Sequence, residues 1–481
     1  MNPSRPTLLA APYVVTMDGT RRVLKDGAVL VRGPVIEAVG SREELSARYP
    51  DAEHVALDRH VILPGFVDAH LHASQMLARG LADDIDEVEV FWSRDRIIPW
   101  EAVLGEEELH VGGLLTAVEL IRNGVTCFAD PGGFEMDPIA RAVAASGIRA
   151  VLAVGGMDTW APGFPLPASL AGRDPARWAL EASEKLIDDW HGREDGRIRA
   201  GYSIRVLMTA SEAFTLEVGR RARERNLTVQ IHLAVSRDRV NWLVQKTGRR
   251  PVEYLEHLGI LGPNWILTHM GWAHDSEIPI LVRRDAKVCH SPGSSMHNAR
   301  GAISHGRFPE MAAQGVSLCL GADAAACNNS LDMFRTMYLT CLAHNERRLS
   351  FGLFPPERVL EMATLGGARA LLWEDQIGSL EPGKRADLIA VDLHRANLSP
   401  VYDFSVVPNL VYSGSGADVT FAMVDGRVLM RDRRITFVDE DRLLARAQKC
   451  GERLLERVPY RLRPRWPVVA GGGKAPPVSP P

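Results

Sequence analysis

Five histidines and one aspartate carry the chemistry open to this chain. In Ile62-Leu63-Pro64-Gly65-Phe66-Val67-Asp68-Ala69-His70-Leu71-His72 an apolar, β-prone run ends in two histidines two residues apart. Alternate residues of a strand face one side, so the imidazoles of His70 and His72 can share one metal ion. Taken alone, the pair is equally compatible with a satisfied core histidine beside a loop residue. Four more groups break that tie: His232, His269, His290 and Asp323 each follow a short apolar run of their own. Only 15 histidines occur in the chain, so five at strand ends form a set. Three imidazoles and a carboxylate suit a hydrolytic divalent ion that keeps one position for water.

Bringing such a set together requires several parallel strands. Strand-like runs at 61–69, 126–129, 149–154, 197–203, 228–233, 265–268, 287–289 and 317–321 alternate with segments of helical period at 106–123, 137–146, 176–190, 211–225, 251–258, 276–284, 308–314 and 331–344. Eight strand–helix units over about 310 residues have the size and rhythm of a (β/α)8 TIM barrel, whose active sites gather at the C-terminal ends of the strands. His70 and His72 end the first strand, His232 the fifth, His269 the sixth, His290 the seventh, and Asp323 the eighth. The first connection, 73–104, is long and carries Asp83, Asp84, Asp86, Trp92 and Trp100, as a lid or specificity loop does. Gln75, Trp92, His290 and Met296 are candidate substrate contacts because they fall on or beside loops after strands one and seven. Trp92 can stack on a ring or pack the lid. His290 can act on substrate or only bond within its own loop.

The flanks differ. Residues 7 to about 60 alternate short strands with turns at Asp18-Gly19, Asp26-Gly27 and Gly33-Pro34, with one helical segment at 42–49. Strand-like runs return at 386–392, 410–412, 419–424 and 426–430. The expected division is therefore 1–60 and 377–439 as two parts of a discontinuous small β-sandwich, 61–376 as the barrel, and 440–481 as a terminal helix with a disordered Gly- and Pro-rich tail. With 46% hydrophobic and 24% charged residues and a net charge of −4, the composition is globular. No basic run marks a nucleic-acid surface, and no apolar run suits a membrane span. The six cysteines lack CxxC spacing, and the first 22 residues lack a signal peptide's features, so free thiols and a cytoplasmic setting are expected.

Six separated motifs, in order, carry a resemblance: Pro64-Gly65-Phe66-Val67-Asp68-Ala69-His70-Leu71-His72; the His232 strand; Thr268-His269; Cys289-His290-Ser291-Pro292; Gly321-Ala322-Asp323 with Asn328-Asn329-Ser330; and Gly378 to Leu388. Over about residues 7–445 the chain resembles the amidohydrolase superfamily, in its branch of adenosylhomocysteine/methylthioadenosine deaminases, guanine deaminases and s-triazine hydrolases. The resemblance implies one divalent metal ion held by His70, His72, His232 and Asp323. It implies that Asp323 moves the proton and that His269 orients the attacking water. Zinc suits that donor set, and iron, cobalt or manganese use the same ligand types. Binuclear members bridge their ions with a carboxylated lysine at the end of strand four, and 198–210 contains no lysine. A small-molecule substrate and a possible homodimer complete the expectation.

Two departures stand out. Where the deaminases of this branch place a ring-protonating glutamate three residues after the fifth-strand histidine, this chain has Val235. Asp238 or Glu212 could substitute, or the substrate's carbon is electrophilic without ring protonation, as in an amide, urea, carbamate or halo-heterocycle. Pro292-Gly293-Ser294-Ser295-Met296-His297 stands where the branch has an asparagine-containing stretch. A non-catalytic binding barrel would have lost its ligands, and all are present. A phosphate-handling barrel would need a Gly-rich loop in the last two units, which is absent. Asp323 could instead cap the following helix, but Ser330 is better placed for that. The expected function is metal-dependent hydrolysis of a non-peptide carbon–nitrogen bond in a heterocyclic or related small molecule.

Overall fold

The structure is a computed structural model that describes residues 5–81, 96–159, 166–167, 170–461, 466 and 468–469. Trp92, Asp83, Asp84, Asp86 and most of the tail lie outside the described residues.

The chain opens with β1 (Thr7–Val15), β2 (Val23–Arg32), β3 (Val35–Ser41), β4 (Glu53–Ala56) and β5 (His60–Pro64). Next come β6 (Phe66–Asp68), β7 (Val125–Asp130), β8 (Arg149–Leu152) and β9 (Ile198–Ala200), a four-stranded parallel sheet. A five-stranded parallel sheet follows: β10 (Tyr202–Ile204), β11 (Val229–Leu233), β12 (Trp265–His269), β13 (Lys287–His290) and β14 (Leu318–Leu320). Finally β15 (Leu388–Asp392), β16 (Val419–Val424), β17 (Arg427–Arg431) and β18 (Arg434–Ile435) join β1–β5 in one nine-stranded sheet. Both ends of the chain thus share a sheet, sewn together where β15 runs antiparallel to β5.

Hydrogen bonds link the two parallel sheets at both edges. The Gly201 N–H donates to the Leu152 carbonyl (2.9 Å) and the Tyr202 N–H to the Thr228 carbonyl (2.9 Å), so pairing passes from β8 to β11 across one glycine. On the far side Ala69 N–H donates to Leu320 (2.9 Å) and Asp323 N–H to His70 (2.8 Å). The space enclosed is filled by small side chains, among them Ala69, Cys127, Ala129, Cys289 and Cys319, with Ala368, Ala370 and Trp373 at its floor. All six cysteines are free and buried, as expected.

Three expectations need correction. The run 61–69 is two strands in two different sheets: the break falls at Gly65, where a Cβ would sit 2.0 Å from Thr126 Oγ1, so only glycine lets the chain pass. Residues 410–412 belong to a helix, Val406–Ser413, whose buried Val406, Val407, Leu410 and Val411 share one helical face. The helix Met333–Arg348 is capped by Asp332, which accepts the Phe334 N–H, and not by Ser330. Asp323 plays no part in that cap.

The parallel layer and the nine-stranded sheet are also joined by a buried ion cluster. Arg149, with no side-chain exposure, donates to Asp387 through Nε (2.7 Å) and Nη2 (3.0 Å) and to Asp425 through Nη2 (2.6 Å). Burial acts to lower the guanidinium's pKa, and the two carboxylates more than reverse it. Asp387→Ala is expected to cost about 3–5 kcal/mol, because it strands most of a buried charge. Urea denaturation measures it, and a loss below about 1 kcal/mol would show that the cluster holds little of the fold.

Candidate active site

The strands end together. His70 and His72 follow β6, His232 lies in β11, His269 ends β12 and Asp323 follows β14. Their donor atoms form two overlapping groups, His70/His232/His269 and His70/His72/Asp323, with the atoms of each within 4.8 Å of one another. His72 Nε2 and His232 Nε2 are 3.1 Å apart, His70 Nε2 is 3.7 Å from Asp323 Oδ1, and His269 Nε2 is 3.8 Å from Asp323 Oδ2. The His232 Nδ1–H donates to the Arg205 carbonyl (2.7 Å), so its Nε2 carries the lone pair and points into the cluster. His70 Nε2 is buried with no partner. Convergent lone pairs, an orphaned imidazole nitrogen and a carboxylate fit a divalent metal ion.

Burial sets the charges. It depresses His70 to about 4 and His72 to about 3, and holds His232 and His269 well below the ordinary range, so all four are neutral at pH 7. Burial pushes Asp323 up, but His70, His269 and Arg300 outweigh it and keep the carboxylate well below its usual value. With the imidazoles uncharged, Arg300 is the standing cation of that set. His269 (φ 78°) and Asp323 (φ 65°) both occupy the left-handed region, a strained backbone of the kind found at functional sites.

Several supporting residues were not expected from the sequence. Ser294 Oγ donates to Asp323 Oδ2 (2.5 Å), and Arg300 Nη1 lies 2.9 Å from that hydroxyl and 3.4 Å from the carboxylate. Asp68 accepts the His70 and Ala322 N–H groups (3.1 Å each) and so ties strand one to strand eight; burial pushes its pKa up to about 8. Asp130, pushed by burial to about 7, accepts Ala73 N–H (3.0 Å) and fixes the chain after His72. Glu101, from the short helix Ile98–Ala102, receives Arg205 Nη1 (2.6 Å) and Gln75 Nε2 (2.8 Å). Arg205 and Glu101 had one legible sign, their place after strand four and within the first long connection.

The substrate candidates separate. Gln75 is buried in the Glu101 network, and Met296 is 48% exposed. His290 faces outward: its Nε2 is 3.1 Å from His344 Nε2, and its ring lies 3.8 Å from that of Phe308. Of the proposed substitutes for the missing glutamate, Asp238 is exposed and Glu212 accepts the Tyr254 hydroxyl (3.2 Å). Val235 is 2% exposed and shares an apolar pocket with Val206, Leu207, Met208 and Trp242.

The His290–His344 pair makes a pH prediction. His344 is fully buried, and burial, with Arg348 adding to it, depresses its pKa to about 4. The unfolded chain, near 6.5, therefore takes up the proton first. Stability from this group is complete above pH 6.5 and is lost as pH falls towards 4, by on the order of 3 kcal/mol. Urea midpoints from pH 7.5 to 4.5 should fall less steeply in His344→Phe; an unchanged slope would remove His344 as the cause.

Comparison with known proteins agrees with this geometry. The amidohydrolase family model matches residues 61–429. The chain is 36% identical over 447 residues to a 5'-deoxyadenosine deaminase of Methanosarcina barkeri, covering 93% of this chain and 98% of that protein. It is 35% identical over 441 residues to a 5-methylthioadenosine/S-adenosylhomocysteine deaminase of Syntrophobacter fumaroxidans, covering 92% and 96%. The crystal structure of an adenosine deaminase from Xanthomonas campestris with bound zinc superposes with a TM-score of 0.85 at 29% identity, covering 93% of this chain and 98% of that one. No helix among the described residues is long and apolar enough to cross a membrane.

Proposed function

This chain belongs to the amidohydrolase family and is a metal-dependent hydrolase of non-peptide carbon–nitrogen bonds, and we propose that it is an aminohydrolase acting on a heterocyclic small molecule of the adenosine type. The observation that carries the proposal is the meeting of His70, His72, His232, His269 and Asp323 in two overlapping donor groups that share His70 and are joined by the His72–His232 contact. His70, His72, His232 and Asp323 would hold a single zinc-class divalent ion. When bound, such an ion lowers the pKa of water from about 15.7 towards about 7 and so supplies a nucleophile at neutral pH.

The fold supports this assignment. The two parallel sheets read as one closed (β/α)8 barrel through the bonds at Gly201 and at Ala69 and Asp323. The nine-stranded sheet reads as the discontinuous β domain of 1–60 and 377–439, with 440–481 appended.

The chain's own groups divide the work. Asp323, the one ionised carboxylate of the cluster, accepts the proton of the attacking water and returns it to the leaving group. Its Oδ2 is held by Ser294 and Arg300, which fixes the direction from which it accepts. His269, neutral and within 3.8 Å of that oxygen, orients the water and stabilises charge developing on the substrate. Gln75, Glu101 and Arg205 brace the wall beside His232.

Val235 favours a second substrate class. A wall of Val206, Met208 and Val235 cannot protonate a ring, which suits an amide, urea, carbamate or carbon–halogen bond. Elemental analysis of the purified chain, with a panel of amino- and chloro-heterocycles, amides, ureas and carbamates, tests both. About one metal per chain and turnover of an amino-heterocycle support the aminohydrolase. Turnover confined to the other substrates selects the second class. Neither metal nor turnover, after reconstitution with zinc, iron, cobalt and manganese, overturns the hydrolase.

A further inference from the structure

At the end of the parallel strands opposite the histidines, one indole carries two guanidiniums. Arg149 lies 5.3 Å from the Trp373 ring centroid and Arg199 lies 4.5 Å from it. The two arginines are treated differently. Arg149 is neutralised by Asp387 and Asp425. Arg199 pairs with no carboxylate among the described residues; its one hydrogen bond runs from Nη1 to the Leu372 carbonyl (2.6 Å).

A half-buried guanidinium beside a second guanidinium, offset only by the more distant charge of the exposed Glu374, is costly to keep. Its surroundings are built around a space. A cavity of about 290 Å³ is lined by Arg199, Arg225, His191, Asn226 and Leu372, among others. Arg225 already spends its charge on Glu184 and Asp188, so Arg199 is the cation of that wall with no carboxylate in ion-pair contact among the described residues. We propose that this cavity is a binding site for a small oxyanion, a phosphate or carboxylate group, which serves as the counter-ion Arg199 lacks. Burial and the nearby Arg149 depress the Arg199 pKa to about 10 against the opposing pull of Glu374, which leaves it charged at neutral pH.

Six residue steps of extended chain run from Arg199 to Arg205, whose carbonyl holds His232. At about 3.3 Å per residue that is roughly 20 Å, so the two sites can be tested apart. Isothermal titration calorimetry of the full chain at low ionic strength, with inorganic phosphate and with glycerol 3-phosphate, is the test, on wild type, Arg199→Gln and Asn226→Asp. Asn226 is an exposed loop residue, and a carboxylate there would compete for Arg199 without disturbing the core.

Saturable binding to wild type is expected, at least tenfold weaker in both variants, with turnover at the histidine end unchanged. Glycerol 3-phosphate binding tighter than phosphate identifies a phosphate ester as the ligand, and equal affinities a free oxyanion; both support the site. Absence of saturable binding to wild type overturns the proposal. So does equal affinity in both variants. Should Arg199→Gln fail to fold, Asn226→Asp decides alone.

Discussion

Asp323→Asn is expected to lower kcat by about 10²–10⁴-fold on whichever substrate the wild type turns over, the range that a positioned proton-transfer group commands. The asparagine keeps the size of the side chain and an oxygen at the position facing His70, 3.7 Å from Nε2 in the native chain. It cannot take up a proton. It also meets Ser294, whose hydroxyl donates to Oδ2 and would face an amide NH2 unless the amide turns over. Metal content should therefore fall less than activity in Asp323→Asn. In Asp323→Ala, which removes the donor atom outright, both should collapse. Elemental analysis beside steady-state kinetics distinguishes the two variants. Turnover within tenfold of wild type in Asp323→Asn would show that another group moves the proton, and Glu101, 4% exposed and already engaged by Arg205 and Gln75, would be the next to replace.

The cluster was legible because its members are rare residue types placed at the ends of short apolar runs, a pattern that needs no knowledge of angles. His70, His72, His232, His269 and Asp323 all meet where strand counting puts them. What supports them was not legible. Arg205 and Glu101 are ordinary surface residues by type, and only the fold reveals that the pair is buried and backs onto His232. Ser294, on the short helix Pro292–His297, and Arg300, just beyond it, reach Asp323 from a stretch too short for a period to betray its path. Likewise His290 ends its strand as a ligand would, yet it turns to His344, because the sequence does not say which side of the last strand residue faces inward. The elements failed where local signals tie: a short apolar run suits strand or helix equally, as at Val406–Ser413, and Ser330 and Asp332 are both good capping types until the helix start is fixed.

The sharpest test of substrate class is Val235→Glu. Val235 is 2% exposed, and its walls of Val206, Leu207, Met208 and Trp242 offer little to solvate a charge, so a carboxyl there would be pushed upward in pKa and remain protonated near pH 7. That is the state a ring-protonating acid needs. Arg239 lines the same pocket and pulls the other way, which would keep the shift moderate. Against an amino-heterocycle, kcat/KM is expected to rise by about 10²-fold, the lower end of what a positioned acid contributes. Against amides or ureas no gain is expected, since their attacked carbon needs no ring proton. The larger side chain would cost about 1–3 kcal/mol in this close-packed site, visible as a lower melting temperature and separable from the kinetic effect. Val235→Gln has the same shape without the transferable proton, and its amino-heterocycle turnover should stay at the wild-type level. A gain shared by Glu and Gln would point to pocket shape, and no gain in either would mean that the native substrate's leaving group is already served by Asp323 alone, leaving valine as the residue that excludes water from the far face of the substrate.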